Sequence, residues 1–70
     1  MKTAILSNQK GEVASYHLAH NYVFRIHPRT GFQTFPYKNA SEARFQFTAA
    51  LDKSAFTGWI PVYVGPPLRG

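Results

Sequence analysis

The feature that most constrains this chain is a two-residue alternation that runs from Val13 to Ile26. Even-numbered residues of this stretch are mostly apolar and odd-numbered residues are mostly polar, with His20 and Val23 as the exceptions. Successive side chains of a β-strand point to opposite faces, so the pattern predicts extended chain with one face in a core and the other in water. Because the alternation keeps its phase across residues 19–21, it favours one long strand with a bend or bulge there, and two separate strands are the alternative.

A turn signal follows the alternating stretch, from Pro28 to Gly31. Proline presets φ for an early turn position, and glycine supplies the positive φ that a four-residue hairpin loop requires at its end. The sequence therefore predicts a second strand, residues 32–37, that returns antiparallel with Phe32 opposite His27. The aromatic pairs expected on the buried side of this hairpin are Phe24 with Phe35 and Tyr22 with Tyr37.

The remaining chain supplies three further elements. Residues 3–7 predict a first strand, which a polar turn at residues 8–11 joins to the alternating stretch as an N-terminal hairpin. Asn39 as N-cap, with Glu42 three residues later, predicts a helix that continues to Lys53. Residues 59–64 predict a last strand, which the proline within it favours at a sheet edge. The helix positions expected against the aromatic side of the sheet are Ala40, Ala43, Phe47, Ala50 and Leu51.

These elements predict one small α+β domain over residues 1–70, with residues 65–70 as an extended tail. Its architecture is a twisted, mostly antiparallel sheet of four or five strands with one helix packed on one face. A chain of this length buries only about 60 per cent of its unfolded surface, so a partner or a homodimer is expected to add stability.

Composition narrows the classes of protein and of partner. The chain has no cysteine, which excludes a disulfide framework and a thiolate zinc site. Eight Lys and Arg against three Asp and Glu give a formal charge of +5, and a basic chain favours a polyanionic partner such as nucleic acid. The cations are scattered singly along the sequence, so only folding would gather them.

The first apolar run is too short for export or membrane insertion. Ala4 to Leu6 falls far below the ~7 to 15 residues of a signal sequence core or the ~20 of a membrane span. The sequence therefore predicts a soluble, cytoplasmic protein that is not anchored to a membrane.

The sharpest candidate site is the exposed face of the predicted hairpin. The predicted register places Arg25, His27 and Thr34 together on that face, with Arg29 at the loop tip. A narrow sheet can enter a major groove, where arginine contacts guanine with two hydrogen bonds and other cations meet phosphates. Lys38 would flank this face as a phosphate contact. An ordinary solvated sheet face is the alternative interpretation of the same residues.

A family resemblance covers residues 22–51. The strand Tyr22-Val23-Phe24-Arg25-Ile26, the turn with Thr30-Gly31, Phe35 and the helix from Ala40 to Leu51 together resemble the AP2-like N-terminal DNA-binding domains of phage and transposon integrases. In that family the sheet face away from the helix lies in the major groove. The resemblance implies that Arg25, His27 and Thr34 contact DNA.

Phe45 and Ala49 form a second candidate site, a partner-binding patch on the predicted helix. Their angular positions fall nearly opposite the buried stripe. A phenylalanine on the outer side of a short helix lowers solubility unless something covers it, and Ala49 one turn later lets another surface approach closely. The alternatives are that Phe56 or the last strand folds over Phe45, or that Phe45 is an ordinary exposed phenylalanine.

Residues suited to catalysis or metal binding are scarce. Glu12, Glu42 and Asp52 are the only carboxylates, and there is no nucleophile-elbow serine and no glycine-rich loop before a helix. His17 and His20 lie on opposite faces of the predicted strand, and no cysteine completes a metal site. We therefore expect no enzymatic activity, no cofactor and no metal.

The sequence thus predicts a non-enzymatic binding module that acts on nucleic acid or on a nucleic-acid-processing complex. The main alternative is a small phage-type inhibitor or adaptor that binds a host protein or nucleoprotein machine, for example a CRISPR-type effector. A basic face docks on an acidic protein surface as readily as on phosphate. A structural oligomer subunit, joined through Phe45 and the last strand, is a third alternative.

Overall fold

The computed structural model describes residues 1–68, which form one antiparallel sheet and one helix. The sheet order is β4-β3-β2-β1-β5, and every neighbouring pair is antiparallel. The elements are β1 (Lys2–Ser7), β2 (Val13–Ala19), β3 (Tyr22–His27), β4 (Gly31–Pro36), α1 (Ala40–Phe56) and β5 (Ile60–Gly65). The predicted small α+β fold is confirmed.

Asn8 organises the turn of the N-terminal hairpin. Its Oδ1 accepts hydrogen bonds from the backbone N–H groups of Lys10 and Glu12, both at 3.0 Å. Gly11 has a φ of 80°, a left-handed conformation that glycine adopts without a steric penalty. The predicted hairpin is confirmed, because β1 pairs with β2 along its whole length.

The long strand expected from Val13 to Ile26 is two strands joined by a two-residue turn. Ala19 pairs with Tyr22 across the turn, and His20 has a φ of 52°, as the first loop residue of favoured tight hairpins does. The predicted bend or bulge is therefore wrong. A loop of two residues moves the core-facing positions from even to odd numbers. The period-two pattern concealed this change, because the outward residues Tyr22, Phe24 and Ile26 are apolar as well.

Asn21, the second turn residue, ties the turn to the end of β4. Its side-chain amide donates a hydrogen bond to the Tyr37 carbonyl at 3.0 Å. Its own carbonyl accepts from the Tyr37 backbone N–H at 2.9 Å. The turn is thus held by two hydrogen bonds to a segment 16 residues away.

The turn exchanges the two faces of β3 relative to the prediction. Leu18 pairs with Val23, and residues directly opposite each other share a face of the sheet. The odd-numbered residues of β3 therefore lie on the side of α1, and Val23 is buried. Phe24, expected in the core, lies on the opposite side.

The register between β3 and β4 also differs by one residue from the prediction. His27 lies opposite Gly31 rather than Phe32. A one-residue slip moves every side chain of a strand to the other face, so the predicted aromatic pairs are wrong. The observed partners are Phe24 with Thr34, Val23 with Phe35, and Tyr22 with Pro36.

The helix packs as its apolar stripe predicts. Asn39 is the N-cap, and its Oδ1 accepts from the Glu42 backbone N–H at 2.8 Å. Ala43 and Phe47 are buried. Ala50 and Leu51 pack against the core, whose buried members are Ala4, Leu6, Tyr16, Leu18, Val23, Ala43 and Phe47.

The last strand lies at the sheet edge beside β1, as the proline at position 61 predicts. Its register shifts opposite Ile5 and Leu6, so β5 bulges next to Pro61. Gly65, assigned to the tail from the sequence, closes β5. Residues 69–70 of the predicted tail lie outside the described part of the chain. Across residues 1–68, α1 lacks the length and apolar character needed to cross a bilayer.

We expect Phe47→Ala to lower the free energy of unfolding by about 3 to 5 kcal/mol, because it leaves a cavity between α1 and the sheet. Phe45→Ala is the matched control on the same helix. Phe45 is 71% exposed, so its truncation should change stability by less than about 0.5 kcal/mol. Urea unfolding measures both variants, and equal losses would contradict the helix orientation.

Candidate functional site

The side of the sheet that faces away from α1 is the first candidate surface. We call it the outer face and define it by cross-strand partners that alternate with the core residues. In β1 to β4 it comprises Thr3, Ile5, Ser7, Val13, Ser15, His17, Ala19, Tyr22, Phe24, Ile26, Phe32, Thr34 and Pro36. The single described helix contacts the other side of the sheet, so no described element covers the outer face.

Three aromatic rings form a continuous strip on the outer face. The ring centroids of Tyr22 and Phe24 are 6.1 Å apart with nearly parallel planes, at 4°. The centroids of Phe24 and Phe32 are 6.0 Å apart, at 23°. Phe32 is 65% exposed, and Ile26 beside it is also exposed. We call Tyr22, Phe24 and Phe32 the aromatic strip.

No lysine, arginine, aspartate or glutamate belongs to the outer face as defined above. Its one histidine, His17, is engaged within the face. The ring Nδ1 is hydrogen-bonded to Thr3 Oγ1 at 3.1 Å, and Nε2 to Ser15 Oγ at 3.0 Å. The polar groups at the centre of the outer face therefore satisfy one another, and the strip remains apolar.

Two residues of the predicted nucleic-acid site lie on the helix side instead. Arg25 pairs with Tyr16 and Gln33, and its guanidinium lies 6.0 Å from the Phe35 ring centroid. The His27 ring lies 5.2 Å from Trp59. The expectation of one exposed basic face is wrong for Arg25 and His27, because the turn at residues 20–21 places both side chains on the side of α1.

Of the other three residues of that predicted site, one lies on the outer face and two lie just beyond the ends of the strands that carry the aromatic strip. Thr34 is paired with Phe24 on the outer face. Arg29 belongs to the exposed loop before β4, next to the Phe32 end of the strip. Lys38 is exposed just after β4, next to the Tyr22 end. The strip is therefore apolar along its length and has one cation near each end.

Arg29 is held by an ion pair that joins two loops. Its guanidinium contacts Glu12 Oε1 at 3.1 Å, and the Asn8 side chain donates to the same oxygen at 2.9 Å. The Asn8 hydrogen bond, and then the charge of Arg29, hold the pKa of Glu12 below its usual range. The two loops, residues 8–12 and 28–30, are thereby fixed at one end of the sheet.

The predicted helix patch is divided between two environments. Phe45 is exposed, and Phe56, which was an alternative cover for it, is itself 93% exposed. Ala49 is half-buried and lines a cleft between α1 and the sheet. A partner-binding role for these residues stays a prediction, with Phe45 as its exposed member.

The aromatic strip is the feature that sequence reasoning missed. The signal that could have located it is Asn21, since asparagine favours tight turns. A turn at Asn21 reverses the assignment of faces for the whole of β3. The strip then follows from the same alternation that suggested a basic face.

Comparison with protein-family models, with curated proteins and with solved structures finds no match to this chain. Within residues 1–68, no three His, Cys, Asp or Glu side chains are grouped so that they could hold a metal ion. The outer face and the cleft between α1 and the sheet are therefore two candidate binding sites of this chain.

We expect Arg29→Met to raise the pKa of Glu12, because the substitution removes the positive charge beside the carboxylate. A lowered folded-state pKa stabilises the fold above the ordinary carboxyl range, and this contribution is lost as the pH falls through it. NMR titration of the Glu12 side chain measures the change. Lys38→Met is the control, and an equal shift in that variant would contradict the ion pair.

Proposed function

We propose that this chain is a non-enzymatic binding module that docks on a protein partner through the outer face, as an inhibitor or adaptor does. The observation that supports it is the uncharged aromatic strip of Tyr22, Phe24 and Phe32, whose two end residues are exposed and whose central Phe24 is half-buried. Contiguous apolar surface on a small domain is typical of an interaction site.

The composition of the outer face favours protein over nucleic acid. The centres of protein interfaces are depleted in charged residues and enriched in Tyr, Trp, Phe, Met and Arg. Interfaces with nucleic acid are much more positively charged than interfaces with protein. The outer face has tyrosine, phenylalanine and isoleucine and lacks lysine and arginine.

The cations beyond the two ends of the aromatic strip indicate the charge expected around the contact area on the partner. Arg29 and Lys38 lie near the two ends of the strip, in a chain of net charge +5. Charges at the rim of an interface accelerate association and select complementary partners more than they add affinity. The partner surface that fits is therefore apolar at its centre and acidic at its rim, and exposed phosphates of a nucleoprotein would also supply that rim.

Single-stranded nucleic acid is a second candidate, which the spacing of the rings favours. Proteins that bind single strands stack successive bases on aromatic side chains of a sheet or groove, with cations along the backbone. Ring centroids about 6 Å apart, between Arg29 and Lys38, fit such a platform. Binding through Arg25 and His27, as the integrase resemblance implies, would require those side chains on the outer face.

We expect Phe32→Glu to abolish capture of the protein partner from lysate of the source cells, because it places a charge in an apolar contact. The loss should reach about 2 kcal/mol, or roughly thirtyfold in affinity. Affinity capture followed by titration with the captured protein measures it, and nuclease treatment should leave the capture unchanged.

Phe45→Glu is the matched control for that experiment, since both phenylalanines are exposed but lie on opposite sides of the sheet. Retained capture with Phe45→Glu supports the outer face. The reverse result, lost capture with Phe45→Glu and retained capture with Phe32→Glu, would move the interface to the helix patch. Sedimentation of both variants tests whether the partner is a second copy of this chain.

If the strip binds single strands instead, affinity for an oligonucleotide should fall as salt rises, by ~0.7 log-log units per neutralised phosphate. The double variant Arg29→Met/Lys38→Met should then lower that slope by about 1.4. Phe24→Ala should weaken binding but leave the slope unchanged. Fluorescence anisotropy with a labelled oligonucleotide measures both effects. Absence of binding even at low salt would exclude this second candidate.

A further inference from the structure

A cleft of about 390 Å³ lies on the helix side of the sheet, opposite the outer face. Its walls come from α1, from the middle strands and from the segment that precedes β5. The aromatic residues that line it are Tyr16, Phe35, Tyr37 and Trp59. A volume of several hundred Å³ with mostly apolar walls is typical of a small-molecule site.

The charged groups of this cleft all have the same sign. Arg25 and Lys53 line it together with His27, and no aspartate or glutamate does. Two cations that line one cleft without a carboxylate repel one another, although solvent weakens this repulsion at the exposed Lys53. A bound anion would remove that repulsion, which a purely structural cleft would be expected to remove with an acidic side chain.

Arg25 also has an unused hydrogen-bond donor in this region. Its Nη2 donates to Thr30 Oγ1 at 3.2 Å and to the side-chain oxygen of Gln33. Its Nε is buried and has no hydrogen-bond partner among the described residues. A buried donor without a partner destabilises the fold, so a ligand oxygen at the guanidinium, reached as the Arg25 side chain adjusts, would supply a bond that the described residues do not provide.

We propose that the cleft binds a small organic anion, namely a carboxylate or a phosphate carried on a flat apolar ring. The Arg25 guanidinium and the Lys53 ammonium bind the anionic group, because hydrogen bonds between charged partners are the strong ones. The ring of the ligand lies against Phe35 and Trp59. This site is independent of the outer face and remains available while that face is occupied by a partner.

The positions of the two cations suit a site that ligands enter from solvent. Arg25 is half-buried and is fixed by its bonds to Gln33 and Thr30. Lys53 is exposed in the last turn of α1 and lines the same cleft. One donor is therefore preorganised at the wall, and the other can follow the ligand as it enters.

The experiment titrates the protein with phenyl phosphate, with benzoate and with the neutral analogue benzyl alcohol. Trp59 is the only tryptophan, so its fluorescence reports the cleft directly, and backbone NMR shifts locate the binding. We expect at least one anion to bind about tenfold more tightly than benzyl alcohol. Whichever of phenyl phosphate and benzoate binds more tightly shows whether the natural ligand carries a phosphate or a carboxylate.

Lys53→Met and Arg25→Met should each weaken binding of that anion about tenfold. Arg44→Met is the matched control, because it removes the same charge from an exposed position of α1 outside the cleft, and it should leave the affinity unchanged. Should Arg25→Met prove unfolded, Lys53→Met decides alone, since Lys53 is exposed.

Four results would overturn the proposal. Benzyl alcohol could bind as tightly as the anions, Lys53→Met could bind like the parent, or the NMR shifts could map to Tyr22 and Phe32 rather than to Trp59. Failure of both anions to bind at millimolar concentration has the same meaning. None of these results affects the outer face, which Phe32→Glu tests separately.

Discussion

The arrangement of this molecule depends on the clamp between Asn21 and the backbone of Tyr37. Two hydrogen bonds fix the turn at residues 20–21 against the end of β4. The same two bonds fix the position of the turn between β2 and β3 and the start of the connection from β4 to α1. Because side chains alternate along a strand, this one position determines that Val23 enters the core while Phe24 faces outward.

Most of the architecture could be predicted from the sequence, but the two faces of β3 were assigned the wrong way round. The helix with its Asn39 cap, the N-terminal hairpin and the edge position of β5 follow from local signals, because each depends on residues close together in the chain. The faces of β3 depend on where the chain reverses, and the change of phase there is hidden because β3 has apolar residues on both faces. Arg25 and His27 were therefore assigned to solvent, although Phe35 and Trp59 accompany them on the helix side.

The same reversal separates the charged and the apolar chemistry of the sheet. Arg25 stands above Phe35 beside the cleft, while the aromatic strip of the opposite side has no charged residue among its neighbours on the outer face. A domain this small has a thin core, and both sides of its sheet carry residues suited to binding. Occupation of either side would stabilise the fold by mass action.

The two free edges of the sheet are unequal. On β5 the register shift beside Pro61 interrupts the row of backbone groups, and proline offers no N–H to an incoming strand. On β4 the residues between Gly31 and Pro36 form an uninterrupted ladder with β3. A sheet with one pairable edge can accept one further strand there, for example β4 of a second copy. No second edge is then left for further copies to add. Pairing of two copies through β4 would therefore close on itself, whereas pairing at both edges would build a fibre.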